Sequence, residues 1–401
     1  MAQFADPTFR AATEDDVPRL LEVHLAAYPG PYSVELRRRN FLANPFGSIE
    51  NLTIAEVGGE IVAHAFLFPF EASFGGRLTK VGGVASVAVA PEARGRGIAR
   101  ALMKRLHAIS DARGDAITLL YPFRQGFYGA LGYAPITSRK RLAFDPRAVP
   151  EGWRKLAQGR SLGRAKGEDR ERIEALHATA AARTNGWISR GSAHWDRLFA
   201  RERRHHLVTD GGYVAFTIEQ EHTHGEAVLL VDELIAIDDT ARRALYGALS
   251  TMRDQIHEIV IEVAHDDPIE HALVDIDRRR FGTEVVEHAL GEIVAGPMVR
   301  IEDMHRAIEA RGYREGEVSF DIVVDDEIAM AISVADGRAS VSGARGGGVL
   351  RASRATLAGI FYGGLRAVDA ARLGLLDADA RLLERIDAIV ALPPLAPIDS
   401  F

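Results

Sequence analysis

The chain has 401 residues, a formal net charge of −7 and no cysteine. This length exceeds one ordinary core and predicts two or three domains. Hydrophobic residues at 47% and charged residues at 26% are typical of a folded, soluble protein. The acidic balance argues against nucleic acid as the main partner, and the lack of cysteine excludes disulfides and cysteine nucleophiles. With no signal-peptide pattern and no run of about 18 apolar residues, we expect a cytoplasmic protein without a membrane span.

The first third of the chain predicts one α/β domain, which we place at residues 1–146. Thr13 to Asp16 resembles a helix-capping box ahead of an amphipathic helix that ends at Pro29-Gly30-Pro31. A second helix, a hairpin and a strand ending at Val89 follow. A glycine- and arginine-rich loop then leads into a helix, a short buried strand at 116–120 and a small helix at 127–133.

Residues 147–294 form the second predicted domain. The pattern predicts helices at 171–182, 194–201, 240–256 and 268–275 and strands at 213–219, 227–234 and 259–263. The stretch 231–245 repeats the last strand and the following helix of the first domain, but it lacks the glycine loop between them. We interpret it as a second copy of the same domain that has lost its ligand site.

Residues 295–401 form the third predicted domain. We expect a helix at 301–311, three strands between 318 and 343, and helices at 353–362, 365–371 and 377–386. Repeated prolines in the last ten residues exclude a helix there and predict an extended tail. The apolar helices could line a lipid cavity or pack as an ordinary core, and the sequence leaves both possibilities open.

The stretch 84–101 carries the clearest chemical signal. Gly95 and Gly97 let backbone N–H groups approach a ligand, and Arg94, Arg96 and Arg100 can contact phosphate oxygens. A loop between a strand and a helix start is an anion site, because the helix dipole and its free N–H groups point at the ligand. A dinucleotide fingerprint would need a small residue where Arg100 stands, and a P-loop would need Gly-Lys-Ser/Thr. The pattern favours a diphosphate-bearing ligand.

Arg94, Gly97 and Ala99 follow a strand in the pattern Arg-x-x-Gly-x-Ala, which resembles the acetyl-CoA signature of the GNAT acetyltransferases. With the segment 127–133, the repeat without glycines and the terminal Phe401, the chain resembles the enhanced intracellular survival (Eis) family over essentially its whole length. The resemblance implies an α/β fold with mixed (α+β) sheets. Two tandem GNAT acyl-CoA N-acyltransferase domains, the second degenerate, would precede a sterol-carrier-protein-2-like α/β domain. It also implies a homo-oligomer, often a hexamer.

The resemblance implies acetyl-CoA as the acetyl donor and no metal. The strand backbone at Val87, Ala88 and Val89 would bind the pantetheine arm. The rest of the cofactor site would consist of Gly95, Arg96, Gly97, Ile98, Ala99, Arg100, Phe123 and Arg124. Tyr128 would be the general acid, with Tyr121 and Tyr133 as nearby alternatives, and the α-carboxylate of Phe401 would be the general base.

The expected function is acetyl-CoA-dependent N-acetylation of a primary amine in a ternary complex, with an aminoglycoside-, polyamine- or lysine-like acceptor. Known mycobacterial members have an acidic residue just before the terminal Phe, where this chain has Ser400. We therefore assign acceptor choice to residues 28–41 and to the tail around Ser400. The alternative is a lipid- or sterol-binding protein with a vestigial transferase domain.

Histidines could indicate a metal site, at His205-His206, at His222-x-His224 and at His265-Asp266-Asp267. None of these groups has the His-Glu-x-x-His spacing of a zinc site. The sequence also lacks the Gly-x-Ser-x-Gly elbow that would indicate a hydrolase. We predict no metal.

Overall fold

The computed structural model describes residues 6–31, 33–158, 163–164, 169–220, 226–276, 287–326, 328–343, 348–392, 395, 399 and 401. Within these residues the chain forms two seven-stranded sheets and one five-stranded sheet, all flanked by helices. Each sheet combines parallel and antiparallel pairs, so the predicted mixed α/β class is confirmed. No helix in this part of the chain is long and apolar enough to cross a membrane.

The first sheet contains six strands from the N-terminal third: β1 (Thr8–Ala11), β2 (Leu52–Val57), β3 (Glu60–Phe74), β4 (Arg77–Val89), β5 (Ile117–Leu120) and β6 (Ala134–Pro135). Four helices accompany them: α1 (Val17–Ala27), α2 (Val34–Leu42), α3 (Ile98–Arg113) and α4 (Gln125–Gly129). β3 and β4 are antiparallel, whereas β4 and β5 are parallel and are joined through α3. α1 and α3 both pack on β3 and β4.

The second sheet contains β7 (Arg139–Phe144), β8 (Gly163–Arg164), β9 (His205–Thr209), β10 (Gly212–Gln220), β11 (Ala227–Ala236), β12 (Ile256–Ala264) and β13 (Gly291–Val294). Its helices are α5 (Glu151–Gln158), α6 (Arg170–Ala181), α7 (Ser192–Phe199) and α8 (Asp239–Leu249). β10 and β11 are antiparallel, and β11 is joined through α8 to the parallel strand β12. This is the order of β3, β4, α3 and β5, as the repeat predicts.

The third sheet contains β15 (Val318–Val324), β16 (Ile328–Ala335), β17 (Arg338–Gly343), β18 (Val349–Ala352) and β19 (Leu376–Asp377), and β14 (Met298–Ile301) precedes it in the chain. Its helices are α9 (Met304–Ala310), α10 (Arg354–Tyr362), α11 (Ala367–Arg372) and α12 (Ala380–Ile389). α10 packs on β14 and β6, so the cores of the first and third units are continuous. Apolar residues of α10, such as Leu357 and Phe361, are buried in that core.

Two strands cross the predicted domain boundaries. β7 pairs with β12 and β13 in the second sheet, although its residues precede position 146. β14 inserts between β5 and β6 of the first sheet, although it follows position 294. The boundaries 1–146, 147–294 and 295–401 therefore stay a prediction, since the sheets interlock at both junctions.

Several predicted helices differ from the structure, three of them as follows. The helix expected at 240–256 ends at Leu249, where the Ser250 and Thr251 hydroxyls bond carbonyls three residues back and a 3₁₀ turn follows. The segment 268–275 forms only a 3₁₀ turn, Ile269–His271. The helix expected from 377 begins at Ala380, because the Asp379 carboxylate caps the N–H groups of Arg381 and Leu382.

Candidate active site

β4 parts from β5 beyond Val84. The two strands pair only over Val81–Val84 and Ile117–Leu120. On its other side, β4 carries an irregularity opposite His64 and Phe66, and within it Ser86 has the left-handed backbone angle φ 52°. A bulge of this kind bends its strand and ends regular pairing. It leaves the predicted cofactor strand, residues 87–89, next to a gap in the sheet.

Tyr28, at the end of α1, also contacts this strand. Its hydroxyl donates a hydrogen bond of 3.0 Å to the carbonyl of Val87. A carbonyl oxygen has two lone pairs, so this bond leaves Val87 able to accept a second one. The sequence placed Tyr28 only in the acceptor region, whereas the structure connects it to the predicted cofactor strand as well.

The loop after β4 is built around two glycines. Gly95 and Gly97 have φ values of 74° and 78°, in the left-handed region that favours glycine. A Cβ on either would meet no atom within 4 Å, so the space in front of the loop is open. Gly97 is the N-cap of α3 and supplies no side-chain cap. The first N–H groups of α3 therefore face a space that an anion could fill.

The arginines of the loop differ in their roles. The Arg94 guanidinium donates hydrogen bonds to the carbonyls of Val89, at 3.2 Å, and of Ala26, at 3.1 Å. Arg94 thus fastens the loop to β4 and to α1. Arg96 and Arg100 lie on the exposed side of the loop and helix start, and buried Ile98 anchors the helix between them.

Tyr128, on α4, lies in an aromatic cluster and is 2% exposed. Its ring makes edge contacts with Phe123, Phe127 and Tyr133, with centroids 5.7, 5.0 and 5.9 Å away. Burial, and secondarily the neighbouring Tyr28, raise the pKa of the Tyr128 phenol above its ordinary value. Tyr128 therefore keeps its proton at neutral pH.

The two alternative tyrosines have different surroundings. The Tyr133 hydroxyl hydrogen-bonds with Thr118 at 2.9 Å and with the His107 ring at 3.1 Å, beneath the sheet. Tyr121 directly follows β5, and its ring lies 5.9 Å from that of Phe401. Tyr133 has a structural role in this arrangement, and Tyr121 faces the chain's last residue.

Phe401 lies over the place where β4 and β5 part. Its ring contacts Phe70, with centroids 4.9 Å apart, and Phe46, at 6.3 Å. A Cβ on Gly83 would come within 3.1 Å of the Phe401 ring and 2.1 Å of the Phe70 ring. Only glycine fits this close approach, and a glycine inside a strand is the sequence signal that could have shown it.

A buried ion cluster holds the tail two residues before Phe401. Arg190 donates to the Asp399 carboxylate at 2.6 and 3.0 Å, and to Glu233 at 2.6 and 3.2 Å. Its guanidinium lies 4.8 Å from the Trp195 ring centroid. Burial alone would raise the pKa of Glu233, but the Arg190 charge holds that pKa well below its usual range. No sequence pattern connects these residues.

A cavity of about 880 Å³ opens between the first two sheets and the tail. Ala85 and Ser86 of the β4 bulge line the cavity together with Phe401, and residues of α7, β11 and β12 form further parts of its wall. Arg37, Asn40 and Phe41, within the predicted acceptor segment 28–41, form part of its wall. Tyr32 and Ser400, which were assigned to the same role, lie outside the described residues.

Two histidines stack beside the bulge, with the rings of His24 and His64 5.5 Å apart. Burial, aided by the Arg37 charge, lowers the pKa of His24 to about 4. Burial, aided by His24, lowers the pKa of His64 to about 3. Both rings are therefore neutral at physiological pH.

Three family models match successive parts of the chain. An acetyltransferase (GNAT) domain matches residues 8–136, a second acetyltransferase (GNAT) domain matches 186–301, and a sterol carrier protein domain matches 304–398. The N-acetyltransferase Eis of Mycobacterium tuberculosis is 28% identical to the chain over 405 residues, which is 96% of each protein. The chain is therefore a homologue of the N-acetyltransferase Eis, with two GNAT domains and a sterol-carrier-like domain.

Solved structures show the same three-part fold. A GCN5-related N-acetyltransferase from Kribbella flavida is 24% identical, with a TM-score of 0.81 over 99% of this chain and 98% of its own. One from Anabaena variabilis is 20% identical, with a TM-score of 0.82 over 98% of both chains. The predicted tandem GNAT domains and the sterol-carrier-like domain are thus confirmed.

GNAT acetyltransferases use acetyl-CoA as a co-substrate, and the geometry of the first domain fits its diphosphate. The second domain differs at the matching helix start. There the Asp238 carboxylate accepts a hydrogen bond of 2.7 Å from the N–H of Ala241. This side chain fills the position that an anion would take, and its own negative charge would repel a phosphate.

No group of three or more metal-binding side chains occurs among the described residues. His206 stacks on Phe199 with centroids 5.0 Å apart. His222 and His224 lie outside the described part of the chain.

Proposed function

We propose that this acetyltransferase transfers the acetyl group of acetyl-CoA to a primary amine within a ternary complex. The observation that carries the proposal is the position of Phe401 over the gap between β4 and β5. At that gap, Ala85, Ser86 and Phe401 line the cavity, and Ser86 directly precedes the strand predicted to hold the pantetheine arm. The amine nitrogen would attack the thioester carbonyl, the carbon–sulfur bond would break, and coenzyme A would leave as a thiolate.

Acetyl-CoA would lie along the bulged part of β4 and across the start of α3. The backbone at Val87, Ala88 and Val89 would bind the pantetheine arm. The open N–H groups behind Gly97 would bind the diphosphate. The other contacts would come from Gly95, Arg96, Ile98, Ala99, Arg100, Phe123 and Arg124. The ring of Phe123, which is 71% exposed, is available to cover a ligand.

Tyr128 would stabilise the leaving thiolate. A thiol titrates near about 8.5 and an ordinary phenol near about 10, and burial raises the pKa of Tyr128 further. Complete proton transfer from Tyr128 to the thiolate is therefore uphill. A hydrogen bond that strengthens as charge develops on sulfur fits these pKa values better, and solvent would then supply the proton.

The α-carboxylate of Phe401 would hold the amine. An α-carboxyl group titrates near about 3.5 and an alkylammonium near about 10.4, so direct deprotonation of the ammonium is uphill by roughly seven pKa units. The carboxylate would instead attract the cationic acceptor. It would accept the proton after attack on the carbonyl has made the nitrogen acidic.

The proposal also includes the assembly and location that the resemblance implies, a cytoplasmic homo-oligomer, often a hexamer. Analytical ultracentrifugation measures the assembly directly. The packed apolar face of α10 favours the ordinary-core interpretation of the third domain over a lipid cavity.

The test measures coenzyme A release with aminoglycoside, polyamine and lysine-peptide acceptors. Tyr128→Phe should lower kcat about 100-fold with little change in acetyl-CoA affinity. Deleting Phe401, or adding residues after it, should lower turnover strongly without a change in Tm. Tyr362→Phe is the matched control, since its buried hydroxyl bonds the Ala307 carbonyl in the third domain. Parallel lines in double-reciprocal plots, together with a stable acetyl-enzyme, would exclude the ternary complex. Failure to bind acetyl-CoA would refute the whole proposal.

A further inference from the structure

The cavity is rich in arginine, and most of its arginines are neutralised. Arg139 pairs with Glu262 at 2.7 Å, Arg190 with Asp399 at 2.6 Å, and Arg204 with Asp232 at 2.8 Å. Arg141 shares Glu262 with Arg139, and Arg242 pairs with Asp267. The side-chain carboxylates of the cavity wall are thus all engaged by arginines, and none of them is left to bind a cationic ligand.

Arg197 and Arg201 also line the cavity, but neither has an ion pair or a side-chain hydrogen bond among the described residues. Arg197 lies in the last turn of α7, and Arg201 lies just beyond the helix. Arg39, on α2 of the first domain, adds a third positive charge nearby, also without an ion pair in the described part of the chain. We name Arg39, Arg197 and Arg201 the arginine cluster.

The members of the arginine cluster repel one another. Burial, followed by the charges of Arg39 and Arg201, lowers the pKa of the Arg197 guanidinium below its ordinary value. All three side chains are exposed, so solvent screens their repulsion, but positive charges gathered from two domains without a counter-ion still attract an anion. Guanidinium groups also match the oxygens of phosphate and carboxylate geometrically, with two parallel hydrogen bonds.

The arginine cluster is connected to the tail through a short aromatic row. His194, one helical turn before Arg197, packs on Phe46 with ring centroids 4.5 Å apart. Phe46 in turn contacts the Phe401 ring at 6.3 Å. This row of rings therefore runs along the cavity wall from the helical turn before Arg197 to Phe401. A ligand that extends along this wall can reach both.

We propose that the acceptor carries an anionic group, phosphate or carboxylate, which Arg197 and Arg201 bind while its primary amine lies at the Phe401 end of the cavity. This inference rests on the proposed function and narrows it. The cluster selects against polycations such as aminoglycosides and polyamines, because their second charge would meet the unneutralised arginines. Arg39 strengthens the attraction from the opposite domain.

The test uses four acceptors that share a six-carbon chain and a primary amine. They are 6-aminohexyl phosphate, 6-aminohexanoate, 6-aminohexan-1-ol and 1,6-diaminohexane. Two quantities are measured for each: kcat/KM for coenzyme A release, and Kd for the complex of the protein with coenzyme A by calorimetry. We expect the better of the two anionic acceptors to exceed the alcohol by about tenfold or more, with the diamine weakest. Comparison of phosphate with carboxylate identifies the preferred anion.

Arg197→Gln combined with Arg201→Gln should remove this preference. The Kd and KM of the anionic acceptors should rise about tenfold, while values for the alcohol stay unchanged. Arg381→Gln changes an exposed residue of α12 outside the cavity wall, so it is the matched control and should change nothing. Unchanged Tm in the double variant shows that folding is intact.

The outcomes separate this inference from the proposed function. If the diamine binds and reacts best, or if the double variant keeps the preference for anions, the inference is refuted and acetyl transfer stands. If acetyl-CoA does not bind, the proposed function fails instead. Binding to the coenzyme A complex is measured without turnover, so slow chemistry with these short acceptors does not prevent the comparison.

Discussion

Asp399→Asn tests whether the buried ion cluster positions the tail for catalysis. The change keeps the shape of the side chain but removes the charge that Arg190 contacts at 2.6 and 3.0 Å. The side chains are 6% and 17% exposed, so solvent screens the pair weakly. Arg190 keeps Glu233 as a partner, and the cost should stay below the roughly 3–5 kcal/mol of a fully broken buried pair. We expect a loss of about 1.5–3 kcal/mol, typical of hydrogen bonds to charged groups.

This loss of free energy destabilises the bound position of the tail. It should reduce the fraction of molecules with Phe401 in place, and with it kcat/KM, about tenfold to hundredfold, since about 1.4 kcal/mol corresponds to a factor of ten. The affinity for acetyl-CoA, measured by calorimetry, should not change, because Asp399 is not part of the β4 loop. Asp377→Asn, an exposed carboxylate of the third domain, is the control. Unchanged kcat/KM in Asp399→Asn would show that the ion cluster does not position the tail, and a parallel fall in acetyl-CoA affinity would show a general loss of structure.

Two further predictions concern the backbone of the loop and the buried histidines. Gly97→Ala and Gly114→Ala place a Cβ at left-handed positions at the two ends of α3, so each should lose about 1–2 kcal/mol of stability in denaturant titrations, but only Gly97→Ala should weaken acetyl-CoA binding. Equal loss of binding in both variants would contradict the anion site. Since the pKa of His64 is lowered to about 3, the unfolded chain binds more protons than the folded chain between pH 6.5 and 3, and stability should fall as the pH is lowered through this window. His64→Gln should flatten that fall by up to about 1.4 kcal/mol per pH unit, and an unchanged slope would refute the assignment.

Local features of the fold could be predicted from the sequence. The glycine loop, the Gly114 end of α3 and the hairpin of β2 and β3 depend on neighbouring residues, whose backbone preferences are readable in order. The repeat was also visible, because β11 and α8 keep the apolar pattern of β4 and α3. The apolar pattern gave the wrong helix bounds where a hydroxyl or carboxylate side chain ends or begins the helix, as Ser250 does after α8 and Asp379 does before α12.

The long-range part of the site could not be predicted in the same way. Arg190 and Asp399 are 209 residues apart, and no sequence pattern near either residue predicts that they form an ion pair. The exchange of β7 and β14 between sheets depends on edge positions that alternation of apolar residues does not encode. The bulge at Ser86 is visible only in the pairing with β3, and the apolar strand pattern of 84–89 continues through it unchanged.

The second GNAT domain lacks the open helix start of the first domain, but it forms part of the cavity wall. Asp238 caps α8 where the first domain leaves the start of α3 open, so acetyl-CoA should bind once per chain. Yet residues of α7, β11 and β12 of this domain line the cavity. The same domain contributes Arg190, which binds Asp399 of the tail, and Arg197, which lines the cavity. If the cavity holds the acceptor, as we propose, this surface of the second domain would help to select the acceptor for the first domain.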